Sequence, residues 1–428
     1  MNFSEYKNSF FDFLESSPTA FHTVAALKDR LVNEGYMELP ERGGWSLSDG
    51  GKYFTTKNGS SLIAFRAVKN AYGFMICASH SDTPSFRVKK SFTSDSAYVR
   101  LPVERYGGAI LYSWLDRPLS IAGRVLVKTD NGVKNQLVNI KRDLFVIPSV
   151  AIHQKRDINE KFSPNPAVDM IPLFSTQPGA ASPESIVAEE IGAEEKNVIS
   201  HDLFLYSRNL PTTVGKDGEL VLSPRLDDIG CVYSSLEAFL KADNAKSVPV
   251  LAVFDNEEVG SETKQGAASD FLIATLERIA GSSEACRSML CDSFMVSADN
   301  AHARHPNHPE LSDVDAPILN KGIVIKYNAS QRYATDGVSS AIFKLICDKC
   351  GAATQSYYNR ADMPGGSTLG SIANTKASLP TVDIGLPQLA MHSAVETCGA
   401  EDIPEMIKAL TAFYSTAIKV DGEEIKLV

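Results

Sequence analysis

Dense, paired cysteine spacing is missing: the seven cysteines (Cys77, Cys231, Cys286, Cys291, Cys347, Cys350 and Cys398) are odd in number and scattered through apolar segments. A secreted, disulfide-stapled scaffold would space them densely, so a reducing compartment is favoured. An excess of positive charge is missing as well. The 42 Lys and Arg face 52 Asp and Glu, a net charge of −10, which repels a polyphosphate backbone and argues against nucleic acid as a partner. Apolar runs such as Val248–Phe254 fall far short of the ~20 residues that cross a bilayer, so no membrane partner is expected. The start, MNFSEYKNSFFDFLESSP, mixes Glu and Lys with aromatics at helical spacing. It offers no basic stretch leading into an apolar one, so no export signal is expected and the cytoplasm is the expected location. Internal repeats and low-complexity tracts are also lacking.

What is present describes a soluble globular protein, with 43% hydrophobic and 22% charged residues over 428 positions. At roughly 100–200 residues per domain, that length accommodates about two to four domains. The opening 35 residues read as two amphipathic helices separated at Ser17-Pro18. Short β-type runs follow, SLIAFRAV and YGFMICAS, the second stopping at His80-Ser81-Asp82. From about 91 to 222 the chain carries short strands (AILYSW, SIAGRVLVKT, QLVNI), turns such as Asp130-Asn131-Gly132 and a Pro/Gly/Ser/Glu-rich stretch at 175–192. This block is expected to be a separate β-rich domain.

Strands and helices then alternate. A helix from Leu226 is followed by VPVLAVF, a helix from Ala267, SFMVSA, GIVIKY, a helix from Val338, TQSYYN, a small-residue helix at 367–373, LPTVDIG and a last helix at 404–419. Such alternation predicts an α/β domain with a mostly parallel sheet flanked by helices. The expected division is a domain of residues 1–90 and 223–428, interrupted by a β-rich domain of residues 91–222.

In open α/β sheets, ligands bind beyond the carboxyl ends of the strands. Here YGFMICAS leads to His80 and Asp82, VPVLAVF to Asp255, Asn256, Glu257 and Glu258, FMVSA to Asp299, and TVDIGLPQLAM to His392, while Arg225-Leu226-Asp227-Asp228 precedes a helix. Each cluster alone has an ordinary reading, as a hydrogen-bonded histidine, a helix N-terminal acid or a solvated turn. Together, so many carboxylates on one rim would repel one another unless protonated or metal-bound. Two His with three or four Asp/Glu suit a pair of divalent ions, zinc among them. In the adjacent pair Glu257-Glu258, one side chain can hold metal while the other stays free as a base.

Six motifs in register, ASHSDTPSFRVK, SPRLDDIG, FDNEEVGSETKQGA, SADNAHARHPNHPE, IKYNASQRYATDG and AMHSAVE, span residues 78 to 396. They resemble the aspartyl aminopeptidase family of co-catalytic zinc aminopeptidases, and most closely its shorter bacterial members. The resemblance implies two Zn2+ per subunit, with Co2+ or Mn2+ able to take the same ligands. His80 and Asp299 would hold one ion, Glu258 and His392 the other, and Asp227 would bridge both. Glu257 would be the general base and acid, and Asp82 would orient His80. His302, Lys326 and Tyr333 match substrate- or oxyanion-contacting positions, and His153 matches a histidine supplied by a neighbouring subunit. The implied architecture is an inserted dimerisation and lid domain and a homo-oligomer, commonly a tetrahedral dodecamer built from dimers. The implied reaction is hydrolysis of the N-terminal residue from peptides, with Asp/Glu or neutral residues preferred. Ser81 and Asp228 are conservative departures from the family pattern.

Two other readings stay open at this point: a related di-zinc carboxypeptidase or amide deacylase, and a non-catalytic scaffold. Three further features are read as structural. Cys347 and Cys350 form a CxxC without a second pair and read as helix packing. His305 and His308 read as surface residues, and the segment 363–370 as a tight loop entering a helix near substrate.

Overall fold

A computed structural model describes residues 2–89, 93–94, 97–177, 179 and 182–428; the expected start of the β-rich block, residue 91, lies outside them. Its centre is a nine-stranded sheet. In spatial order the strands are Met37–Glu38, Lys52–Lys57, Ser61–Arg66, Val248–Phe254, Phe74–His80, Phe294–Ala298, Thr381–Gly385, Ile323–Tyr327 and Thr354–Tyr358. Every residue of Phe74–His80, Val248–Phe254 and Phe294–Ala298 is buried, which explains why these strands read as unbroken apolar runs. Side chains alternate between the faces. Met75, Cys77, Leu251 and Val253 pack under helices Leu226–Lys241, Gly337–Cys350 and Asp402–Tyr414. Phe74, Ile76, Val250 and Ala252 pack under Phe271–Ala280 and Leu369–Ala377.

The sheet is mixed. The three central strands run parallel to one another, whereas Ser61–Arg66 runs antiparallel to Val248–Phe254, and Ile323–Tyr327 antiparallel to Thr381–Gly385. A second, five-stranded antiparallel sheet joins Gly132–Asn139, Leu119–Thr129, Val198–Ser207, Ser85–Val88 and Val103–Tyr106. It has its own core around Phe86, Trp114, Ile121 and Leu203. A third sheet links Thr212–Val214, Leu220–Ser223, Glu396–Gly399, Pro387–Leu389 and Ala301–His302.

The structure corrects four local expectations. AILYSW is not a strand: Leu111–Trp114 forms a single 3-10 turn, with the Ser113 hydroxyl bonded to the Ile110 carbonyl. The helix expected from Ala267 begins at Phe271. The helix expected to reach residue 419 stops at Tyr414, and Ile418–Asp421 turns back on Glu424–Leu427 through the left-handed Gly422. Within the stretch at 175–192, Pro183–Ile191 is a helix capped by Ser182 and ended by Gly192, a Ser-Pro start and Gly stop that the sequence displays. No helix of the described residues is long and apolar enough to cross a membrane.

His22, in helix Ala20–Asn33, carries a pH signature. Burial, with Arg225 and Lys141 nearby, lowers its pKa from 6.5 to about 4. The unfolded chain therefore takes up this proton first, and stability falls as pH drops from 6.5 towards 4 at up to about 1.4 kcal/mol per pH unit. The urea midpoint of wild type should consequently fall more steeply with acid than that of His22→Gln; parallel slopes would contradict this.

Candidate active site

Three neighbouring parallel strands end side by side, and each delivers chemistry as it leaves the sheet. His80 closes Phe74–His80, Asp299 follows Phe294–Ala298, and Asp255 to Glu258 follow Val248–Phe254. Asn256 takes a left-handed conformation (φ 63°) that turns the chain into the short helix Glu257–Val259, a backbone choice Asn tolerates well. Asp227 and Asp228 come from the start of Leu226–Lys241, joined by a cis peptide. His392 (φ 68°) leaves the third sheet in a loop that also holds Ala390 at φ 55°. Such strained non-glycine conformations persist where surrounding contacts enforce them.

These side chains converge. His80 Nε2 lies 3.5 Å from Asp227 Oδ1 and 3.8 Å from Asp299 Oδ1, while His392 Nε2 lies 3.4 Å from both Asp227 Oδ2 and Glu258 Oε1. The two oxygens of Asp227 thus face two separate donor sets. His80 Nδ1 is 3.0 Å from the Asp82 carbonyl, and His392 Nδ1 is 3.3 Å from that of Gly108. A carbonyl only accepts, so each Nδ1 carries a proton and each Nε2 is directed at the carboxylates.

The electrostatics of this cluster are extreme. Burial alone would lower His80, but Asp228, Asp227, Asp299 and Asp82 outweigh it and hold the imidazole well above its ordinary pKa. For His392, Asp227 and Glu258 overcome burial in the same way and raise it to about 10. Burial pushes Glu257 up to about 8 and Glu258 well above the usual carboxylate range. Asp227 Oδ1 and Glu258 Oε1 are buried and find no hydrogen-bond partner among the described residues, a costly arrangement for carboxylate oxygens. One ligand atom each from His80, Asp227, Asp228 and Asp299 lies within 4.8 Å of the others, and the same holds for two groups of three, Asp227, Glu258 and His392, and His80, Glu257 and Glu258. Imidazole nitrogen with carboxylate oxygen is a zinc donor set, and the orphaned oxygens are what such an ion would satisfy.

A recess of about 160 Å3 opens over the cluster, lined by His302, Lys326, Tyr333, Tyr357 and the loop residues Gly366, Ser367 and Thr368. Lys326 is buried and already engaged: its Nζ donates to the carbonyls of Asp299 (2.6 Å) and Asn300 (3.2 Å) and lies 3.5 Å from the Asp299 carboxylate. His302 is exposed and sets its ring edge to face against Tyr357. His153 is exposed and is absent from the lining of this recess. Cys347 is buried, the Cys350 thiol bonds the Cys347 carbonyl, and His305 and His308 are exposed.

Several participants receive no role in the sequence reading. Asp228 is buried and accepts the His80 backbone N–H at 3.1 Å. Glu396 is buried and accepts the backbone N–H of Asp227 (3.0 Å) and of His392 (2.7 Å), holding both in place. Asn300 ties the carbonyl of Leu226 to Gln388. Asp228 and Glu396 lie inside quoted motifs, one and four residues from a candidate ligand, and that adjacency was the available signal.

The comparison that decides the family is a model described as aminopeptidase I zinc metalloprotease (M18), which matches residues 13–414. The chain belongs to the M18 family. Its relatives include the "Probable M18 family aminopeptidase 2" of Clostridium acetobutylicum, 42% identical over 427 residues and covering 96% of this chain and 99% of the relative. The protein of the same name from Pseudomonas putida (strain GB-1) is 38% identical over 414 residues, with 94% and 96% covered. Among solved structures, "Cryo-EM structure of the Ape4 and Nbr1 complex" contains a chain with a TM-score of 0.93 and 34% identity, covering 96% of this chain and 86% of that one. The structure of the S. cerevisiae mApe1 dodecamer gives a TM-score of 0.82 at 28% identity, with 95% of each chain covered. This M18 chain is accordingly a zinc metalloaminopeptidase, a hydrolase of peptide bonds.

Proposed function

We propose that this aminopeptidase removes N-terminal residues from peptides with two zinc ions, His80 and Asp299 holding one, Glu258 and His392 the other, and Asp227 spanning both. The observation that carries this reading is the division of the two Asp227 oxygens between the His80 side and the His392 side. Bound there, the ions would polarise the scissile carbonyl and acidify water; cobalt or manganese would fit the same donors. Glu257 takes the proton of the attacking water and passes it to the departing amine nitrogen. Asp82 fixes the turn that carries Glu257, because its carboxylate accepts the backbone N–H of both Glu257 and Glu258. Tyr333, His302 and Tyr357 surround the place of the first residue. Because the Lys326 ammonium is largely occupied by Asp299 and Asn300, neutral as well as acidic N-terminal residues are accepted.

The β-rich block from 91 to 222 is proposed to pair subunits and to lid the site. Its segment around His153 exposes Val150, Ile152, Phe162 and Val168, apolar surface that a second copy would cover, and His153 would then complete a neighbouring site. One structural neighbour is titled a dodecamer, and an assembly of that kind is proposed here. Seven free cysteines fit a cytoplasmic setting. A free α-amino group is the recognition element that separates this activity from endopeptidase or deacylase action. A peptide beginning with a free Leu or Asp should therefore be cut at least about 100-fold faster than its N-acetylated twin, a difference of about 2.7 kcal/mol. Equal rates would overturn the reading in favour of a deacylase.

A further inference from the structure

Residues Tyr106, Gly107 and Gly108 leave the end of strand Val103–Tyr106, which belongs to the five-stranded sheet, and run up against the histidine and carboxylate cluster at the rim of the other sheet. Each of the three makes a different contact there. The Tyr106 hydroxyl donates to Asp82 Oδ2 at 2.6 Å, and itself accepts from Asn256 Nδ2 at 2.8 Å. A Cβ on Gly107 (φ +71°) would come within 3.1 Å of Glu258 Cβ, so the backbone here lies directly against that residue. The Gly108 carbonyl faces His392 Nδ1 at 3.3 Å, and a Cβ on Gly108 would meet the same nitrogen at 3.1 Å.

Asp82 is where these contacts acquire a consequence. Its Oδ1 accepts from Glu257 N–H (3.1 Å) and lies 3.5 Å from His80 Nδ1, and its Oδ2 accepts from Glu258 N–H (3.2 Å) and from Tyr106. One carboxylate therefore fixes the backbone of Glu257 and Glu258 together, while His80 Nδ1 is held by the Asp82 backbone carbonyl. The Tyr106 phenol is in turn held from behind. Asn256 Oδ1 accepts from Thr263 Oγ1 (2.9 Å) and Gln265 Nε2 (2.7 Å), which aims the Asn256 amide at the phenol. The ring is braced edge-on against Phe204. A side chain fixed on three sides, with its one O–H spent on a buried carboxylate, is a built orienting device.

We infer that Tyr106 is a positioning residue for peptide hydrolysis, acting through the Asp82 carboxylate on the Glu257-Glu258 turn, and that it is the point at which the β-rich sheet sets the geometry of the metal centre. This rests on the roles proposed above for those residues. Removing the hydroxyl alone leaves the ring packed on Phe204 and the Asn256 amide without its acceptor, and lets the Asp82 carboxylate turn away from the two N–H groups it fixes.

The test is Tyr106→Phe in the full-length zinc-loaded protein, alone and combined with Asp82→Ala. The expected result is a kcat about 10–100-fold below wild type with KM changed less than about threefold, together with faster loss of zinc to a competing chelator. Melting temperature and elution volume stay at their wild-type values. In the Asp82→Ala background the same substitution should add nothing further, because the group it acts through is gone. The inference is overturned if Tyr106→Phe leaves both kcat and zinc release unchanged, or if its effect multiplies with that of Asp82→Ala. Zinc release is read without peptide turnover, so it decides the role of Tyr106 even if wild type proves inactive on peptides, an outcome that would count against the proposed reaction instead.

Discussion

Glu257→Gln should lose peptide hydrolysis almost completely, with kcat falling by about 10²–10⁴ while zinc content and KM stay near wild type. Glutamine keeps the shape and volume of the side chain, and the backbone N–H of residue 257 still reaches Asp82 Oδ1. What disappears is a group that can take a proton and return it. Glu257 stands at the recess beside His80 and Asp299 and also groups with His80 and Glu258 within 4.8 Å, but the ligand places proposed here fall to the residues that face the Asp227 oxygens. Its loss should therefore separate chemistry from metal binding. Rates measured under saturating peptide, with zinc counted per chain in the same preparation, decide the matter. A variant that keeps kcat within about threefold of wild type, less than 1 kcal/mol of barrier, removes Glu257 as the base.

Asp227→Ala should show the opposite separation, losing the ions and the rate together. Both oxygens of Asp227 are directed at ligand sets, and its backbone N–H is anchored on Glu396. Removing it takes a donor from each proposed ion, whereas His80→Ala or His392→Ala takes a donor from one. Wild type should gain thermal stability as zinc is added, since an ion that binds only the folded chain stabilises it by mass action. Asp227→Ala should melt at the same temperature with and without zinc at concentrations that saturate wild type, and should hold fewer ions than either histidine variant. Two ions retained by Asp227→Ala would show that the carboxylate does not span the sites.

The legible parts of the molecule were those in which one residue's chemistry implied its place. Buried parallel strands read as unbroken apolar runs, so Phe74–His80, Val248–Phe254 and Phe294–Ala298 could be located, and with them the rim where His80, Glu257, Glu258 and Asp299 stand. Mixed pairing was not legible, because an apolar run carries no sign of its neighbour's direction; the antiparallel pairing of Ile323–Tyr327 with Thr381–Gly385 comes from tertiary packing. Glu396 and Asp228 accept the backbone N–H groups of the candidate ligands Asp227, His392 and His80, and apart from their adjacency to a ligand in sequence such backbone contacts leave no side-chain pattern. Lys326 matches a substrate- or oxyanion-contacting position in sequence, yet two carbonyls and a carboxylate engage it, and carbonyl positions have no signature in sequence. Tyr106 was silent for the same reason, since its partner Asp82 lies across a sheet boundary.

The most direct measurement is a zinc titration into chelated wild-type protein, following release of the N-terminal residue from a free-amino peptide and from its N-acetylated twin. Hydrolysis of the free-amino peptide should be absent at the start, return with added zinc and level off at two ions per chain, while the acetylated peptide stays uncut. Full turnover by the chelated protein, or saturation with the acetylated peptide cut equally fast, would contradict a two-zinc aminopeptidase built on Asp227.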